Sequence, residues 1–174
     1  MVRVLTSLIA LLALMTGVAS AHGPSRQKVV ESIEINAPAD KVWAVVGKFG
    51  DMSWHPAMAK TEATGNEVGA TRVLTTTAGG KISEKLTKLN AEGKTFSYEI
   101  TDVDVKVVPV TNYSSTITVT GTGDKSTVEW KGAFYRGYVN NDPPPELSDE
   151  AAVNAITGIY KDGLANLKKK LEGG

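Results

Sequence analysis

The segment from Ser148 to Leu171 constrains this chain most. Val153, Ile156, Ile159, Tyr160, Leu164, Leu167 and Leu171 recur three or four residues apart. That spacing predicts a helix of about six turns with a single apolar stripe. Ser148 can cap its start, and Asp149 and Glu150 stand where the positive end of the helix dipole favours acids. Lys168, Lys169 and Lys170 stand at the opposite end, where cations are favoured, and Gly173 and Gly174 let the helix stop. Such a stripe needs a surface to cover it. Most of the chain before it alternates at the two-residue period of strands. The fold class this predicts is α+β: one long C-terminal helix held against a curved antiparallel sheet.

The other end of the chain reads as a targeting segment. Arg3 forms a short basic region, Val4 to Val18 is mostly apolar, and Ala19-Ser20-Ala21 has the small residues of a cleavage site. Thr6, Ser7, Thr16 and Gly17 interrupt the apolar run and no charged flank follows, so a cleaved secretory peptide is expected over residues 1–21 rather than a membrane anchor. Residues 22–174 form one domain of about 150 residues, able to bury roughly 70% of its unfolded surface. The full chain carries 19 basic and 19 acidic residues. No basic stripe marks it for nucleic acid, and a near-neutral total argues against strong charge steering toward a partner. It has no cysteine, which excludes disulfides and thiol chemistry.

In chain order, Val29 to Ile35 reads as a first strand. Pro38 starts a short helix that includes Val42, Trp43, Val45 and Val46, and Met52-Ser53-Trp54-His55-Pro56 reads as a second short helical stretch stopped by proline. About six further strands follow: Ala70 to Thr77, Lys81 to Leu89, the alternation at Phe96, Tyr98 and Ile100, an ambiguous run from Thr101 to Val110, Asn112 to Thr120, and Ser126 to Phe134. Gly79-Gly80, Ala91 to Lys94 and Gly121 to Asp124 supply turns, and Pro143-Pro144-Pro145 stiffens the approach to the last helix. A sheet of about seven strands twists and curls. A helix across its hollow side covers only part of it and leaves a cavity beside the two short helices.

This order is similar to the helix-grip fold of the START and Bet v 1-like (SRPBCC) superfamily, which includes polyketide cyclases, lipid carriers and plant abscisic-acid receptors. The likeness is carried by Gly69-Ala70-Thr71-Arg72, by Gly79-Gly80 with Ile82 to Leu86, by Pro109 to Ser115, and by Val128 to Phe134. Within that group the chain most resembles the secreted MxaD-type proteins of bacterial methanol oxidation. The resemblance implies a periplasmic accessory role, with methanol dehydrogenase or its cytochrome as partner.

Glu84 shares strand parity with Ile82 and Leu86, so it should face inward, where an unpaired carboxylate is costly. It reads either as a cavity group or as a rim residue or structural partner of Arg72 or Lys81. In the resembling receptors the matching acid lies in the ligand cavity. Arg72 has the parity of Leu74 and reads either as the inward partner of Glu84 or as an exposed arginine. Tyr113 and Ser115 share a face with Ile117 and Val119, as ligand-orienting hydroxyls or as core groups bonded to backbone. Trp54, Tyr98, Trp130 and Phe134 are the large aromatics that would line a cavity, or pack as core. His55 is expected beside the cavity mouth. With His22, the expected new N-terminus, it forms the single arrangement with any copper-chelating character, and no ligand-like spacing supports it.

No Gly-x-Ser-x-Gly elbow, phosphate loop or zinc helix occurs, and Asp102 and Asp104 lack a surrounding metal loop. Neither a cofactor nor a metal is therefore expected, and no residue stands out as catalytic. The favoured reading is a non-catalytic accessory or binding protein for a small apolar molecule. The alternative is a cyclase or dehydratase with Glu84 as acid or base and Tyr113 as hydrogen-bond donor.

Overall fold

The structure, a computed structural model, describes residues 23–173. The expected signal segment and His22 lie outside the described residues. Strand β1 (Gln27–Ile35) leads into helix α1 (Ala39–Val46). Six strands follow: β2 (Met58–Ala63), β3 (Thr71–Thr76), β4 (Lys81–Asn90), β5 (Thr95–Val103), β6 (Val110–Thr122) and β7 (Lys125–Arg136). A 3-10 turn at Pro145–Leu147 precedes the long helix α2 (Asp149–Glu172). The seven strands form one antiparallel sheet in the order β1-β7-β6-β5-β4-β3-β2. The first strand thus returns beside the last, and the remaining six meander outward from it. This is the expected α+β helix-grip arrangement.

Helix α2 begins where its sequence says it should. The Ser148 hydroxyl accepts a hydrogen bond from the Ala151 N–H at 3.1 Å, a cap that satisfies one of the free donors at the helix start. Its buried ridge is Ala152, Ile156, Tyr160, Gly163, Leu164 and Leu167, packed chiefly on β1 and β7, while Val153, Ile159 and Leu171 flank it half-buried. Each large apolar side chain removed from water contributes about 1.5–3 kcal/mol. Two glycines allow the close approach. A Cβ at Gly132 of β7 would collide with the Tyr160 hydroxyl, and one at Gly163 of α2 would collide with the His55 ring.

Two elements differ from expectation. Met52 to Pro56 forms successive turns, not a second short helix: His55 N–H donates to Met52 C=O at 2.9 Å and Met58 N–H to His55 C=O at 3.1 Å. Pro56 has no N–H to extend a helix and its ring obstructs the preceding turn. The ambiguous run from Thr101 to Val110 is not a strand of its own. It completes β5, turns at Asp104, whose C=O accepts from Val107 N–H at 2.8 Å, and enters β6 after Pro109. The sixth strand is instead β2, an edge strand paired only to β3.

Candidate functional site

Between α2, the turns at residues 52–58 and the concave face of the sheet lies a hollow of about 30 Å³. It holds one or two waters at most. Arg72, Glu84, Tyr98, Tyr113 and Trp130 line it, together with Met52, Met58, Leu74, Ile156 and Ile159. Strand register brings the first two together, since Arg72 of β3 stands opposite Glu84 of β4. Arg72 Nε donates to Glu84 Oε2 at 2.5 Å, and Arg72 Nη1 donates to the Phe49 C=O at 2.6 Å. The guanidinium also lies 4.2 Å from the Phe49 ring centre and 5.1 Å from that of Tyr98. Both members of the pair are buried. Burial pushes the Glu84 carboxyl above its ordinary range, against the pull of the Arg72 charge and hydrogen bond. The pair is therefore held by its mutual hydrogen bond, by the Phe49 carbonyl and by two aromatic ring faces, the kind of compensation a buried charge needs.

Beside it runs a chain of buried hydroxyls with one direction. The Ser115 hydroxyl donates to the Lys131 C=O at 2.8 Å, because a carbonyl can only accept. Ser115 Oγ must then accept from the Tyr160 hydroxyl at 3.0 Å, Tyr160 from Tyr113 at 2.6 Å, and Tyr113 from Tyr98 at 3.3 Å. Trp130 Nε1 starts the chain by donating to Ser115 Oγ at 2.9 Å and Tyr98 Oη at 3.1 Å. Each hydroxyl donates once and accepts at least once, so none is left unpaired in the core. Burial, with a smaller push from the Glu84 charge, raises the Tyr98 phenol to about 12. Tyr113 and Tyr160 are likewise pushed well above the ordinary range, by burial first. All three phenols are neutral donors at neutral pH.

The other four candidate cavity residues, Trp54, His55, Ser115 and Phe134, are buried in the core but do not line the hollow. Ser115 belongs to the hydroxyl chain. Phe134 stacks on Tyr113, centres 6.1 Å apart, and Trp54 packs on Trp130 at 5.6 Å. Trp54 Nε1 has no hydrogen-bond partner among the described residues. His55 is not at a mouth. It is 1% exposed, and both ring nitrogens are engaged. Nε2 donates to the Ile159 C=O of α2 at 2.9 Å, while Nδ1 accepts from the Ala57 N–H at 3.2 Å. This pattern requires the neutral ring, and burial depresses its pKa. His55 therefore ties the turn to α2. Among the described residues no group of three His, Cys, Asp or Glu is placed to hold a metal ion, and no helix is long and apolar enough to cross a membrane.

Tyr160 and Phe49 were not among the sequence candidates. Tyr160 reads as one more apolar position on the α2 stripe, and only the hydroxyl partners facing it show its second role. Phe49 acts through its backbone carbonyl and ring face, which no side-chain motif announces.

Comparison with known proteins places the fold in a family. A family model described as polyketide cyclase / dehydrase and lipid transport matches residues 26–172. No curated protein sequence matches the chain. The solved structure of XoxI from Bacillus cereus is 34% identical, with a TM-score of 0.71, covering 83% of this chain and 95% of that one. An uncharacterised protein from Bacillus thuringiensis is 33% identical, with a TM-score of 0.72, covering 84% and 99%. Norcoclaurine synthase from Thalictrum flavum, at 19% identity and a TM-score of 0.62 over 86% and 95%, shares the fold. The chain therefore belongs to the polyketide cyclase / dehydrase and lipid transport family.

Proposed function

We propose that the protein binds a small apolar molecule beside α2 without turning it over. It does so in the periplasm, as an accessory to methanol oxidation that aids electron transfer from methanol dehydrogenase to its cytochrome. One observation carries the binding reading: the Arg72–Glu84 pair sits at the wall of a hollow otherwise bounded largely by apolar and aromatic side chains. A polar end orients a ligand and apolar walls hold it. Pockets for drug-sized ligands run to about 300–1,000 Å³, so a hollow of about 30 Å³ must widen to admit even a small guest. Met52 and Met58, unbranched and flexible, are the wall residues suited to swing aside. The family membership supports a ligand-binding domain. The apolar N-terminal segment supports export, and the resemblance to MxaD-type proteins supports the methanol-oxidation setting.

Native mass spectrometry of the protein from its own periplasm, with pull-down of bound proteins, tests both parts. A retained small molecule that Glu84→Gln releases, and capture of a dehydrogenase or cytochrome, are the expected results. Empty protein, together with a rate of methanol-dependent cytochrome reduction that does not change when the protein is added, would end the proposal.

A second reading has one observation in its favour. Glu84 and the neutral phenols of Tyr98 and Tyr113 share the hollow, which is the donor–carboxyl pairing an acid–base cyclase or dehydratase would use. A bound molecule chemically altered on incubation would select it.

A further inference from the structure

The outer face of the sheet, opposite α2, carries an open trough of about 440 Å³. Strand register lays a continuous row along it. Val30 of β1 stands opposite Lys131 of β7, Lys131 opposite Thr116 of β6, Thr116 opposite Ser97 of β5, and Ser97 opposite Lys88 of β4. Lys28 lines the same trough one row away, and Arg26 reaches the Ser114 hydroxyl at its edge, 3.5 Å away. Small side chains make the floor: Ser97 and Thr116, bonded to each other at 2.8 Å, with Ser114 and Ala133. Register shifts mark bulges beside it in β4 and β6. Among the described residues no acidic one lines it. Lys28 and Lys88 make no ion pair among the described residues, and Lys131 has only an exposed contact to Glu129 at 3.4 Å, which holds it weakly.

We infer that this trough is a docking surface for an extended acidic segment of a protein partner. Its cations are spread along the row. The backbones of Lys131 and Lys88 stand three strands apart, about 14 Å at the usual strand spacing. An extended chain advances about 3.3 Å per residue, so carboxylates four positions apart, about 13 Å, match that separation. The hydroxyl floor gives such a segment groups to bond between its charged ends. A bilayer fits poorly, because the surface is recessed and Val30, 57% exposed, is the one exposed large hydrophobic along it. Nucleic acid fits poorly too, because three lysines in one short recess are fewer than the run of phosphate contacts such a partner needs. Glu99 and Glu129 lie on the same outer face beside the trough, in register with Ser114 and Thr118, and confine an acidic segment to the lysine row. The trough opens on the other side of the sheet from the hollow and shares only Tyr98 with it.

The test is fluorescence anisotropy with a labelled ten-residue Gly/Ser peptide carrying two glutamate pairs centred four residues apart. A peptide of equal composition with its glutamates clustered, and phosphatidylglycerol vesicles, serve as comparison probes. The spaced peptide should bind most tightly and weaken as salt rises from about 20 to about 200 mM. Lys28→Gln/Lys88→Gln/Lys131→Gln should lose about tenfold or more in affinity. Lys48→Gln/Lys161→Gln/Lys169→Gln, away from the trough, should lose nothing, and both triple variants should melt with the parent. Absence of binding at low salt, equal binding of the clustered peptide, an unchanged affinity in the first triple variant, or binding of vesicles alone would each overturn the inference.

Discussion

Replacing Glu84 by Gln probes the central polar feature most directly. The substitution keeps the shape and one acceptor for Arg72 Nε but removes the negative charge. Arg72 then keeps its bond to the Phe49 C=O at 2.6 Å and its place over the Phe49 and Tyr98 rings, but its charge is buried without a counterion. Breaking a buried pair costs about 3–5 kcal/mol, and the surviving contacts put this case near about 3. For a domain of this size that lowers the melting temperature by about 6–12 °C. Urea unfolding followed by the fluorescence of the buried Trp54 and Trp130 measures the loss. Arg72→Met should behave differently, because a carboxylate can take up a proton and a guanidinium cannot lose one. Without the arginine, burial raises Glu84 further, so that variant regains stability as pH falls toward the ordinary glutamate range and loses it as pH rises. Arg72→Met/Glu84→Leu, with no charge left to bury, should lie closer to wild type than either single variant. A Glu84→Gln protein within about 1 kcal/mol of wild type, or a double variant as damaged as the worse single one, would refute the reasoning.

Three further outcomes follow from the same structure. Tyr160→Phe breaks the hydroxyl chain at its middle, strands the Tyr113 donor and should cost about 1–3 kcal/mol in the same urea assay, with no spectral sign of repacking. The His55 ring is held neutral, with a pKa below its free value, so its contribution is intact above about pH 6.5 and declines by at most about 1.4 kcal/mol per unit as pH falls below that, until the folded pKa is reached. Asp162 opposes this depression and Arg72 adds to it, and His55→Gln should flatten the profile between pH 8 and pH 5 when the two unfolding curves are subtracted. Gly132→Ala drives a methyl into the Tyr160 hydroxyl and should cost about 1–3 kcal/mol, whereas Gly158→Ala, with open space around its Cβ, should be neutral or stabilising by calorimetry.

Much of the fold is local and so could be read from neighbouring residues. The period of the α2 stripe, its serine cap, the alternation of β4 to β7 and the glycine turn at 79–80 each depend on residues a few positions apart, and each appears where expected. Strand parity also put Glu84, Tyr113 and Ser115 on the inner face. The misreadings fall where local signals are weak. β2 has the sequence Met-Ala-Lys-Thr-Glu-Ala and is mostly exposed, so it lacks the alternation that marks a strand with one buried face. The stretch from Met52 to Pro56 has helical spacing but a proline that limits it to turns.

What separates sequence from tertiary structure here is how far apart the interacting residues lie. The amino-acid order sets where helix and strands form and which way each side chain points, because those follow from periodicity along one segment. It does not set how tightly α2 settles into the sheet. Gly132 and Gly163, two glycines on different elements, allow an approach that leaves about 30 Å³ where a ligand chamber was expected. The same distance hid His55, whose two partners lie two and 104 residues away, and the outer row of lysines, which needs five strands in register to exist. A near-neutral total charge is a sum over the chain and carries no record of where folding gathers the cations.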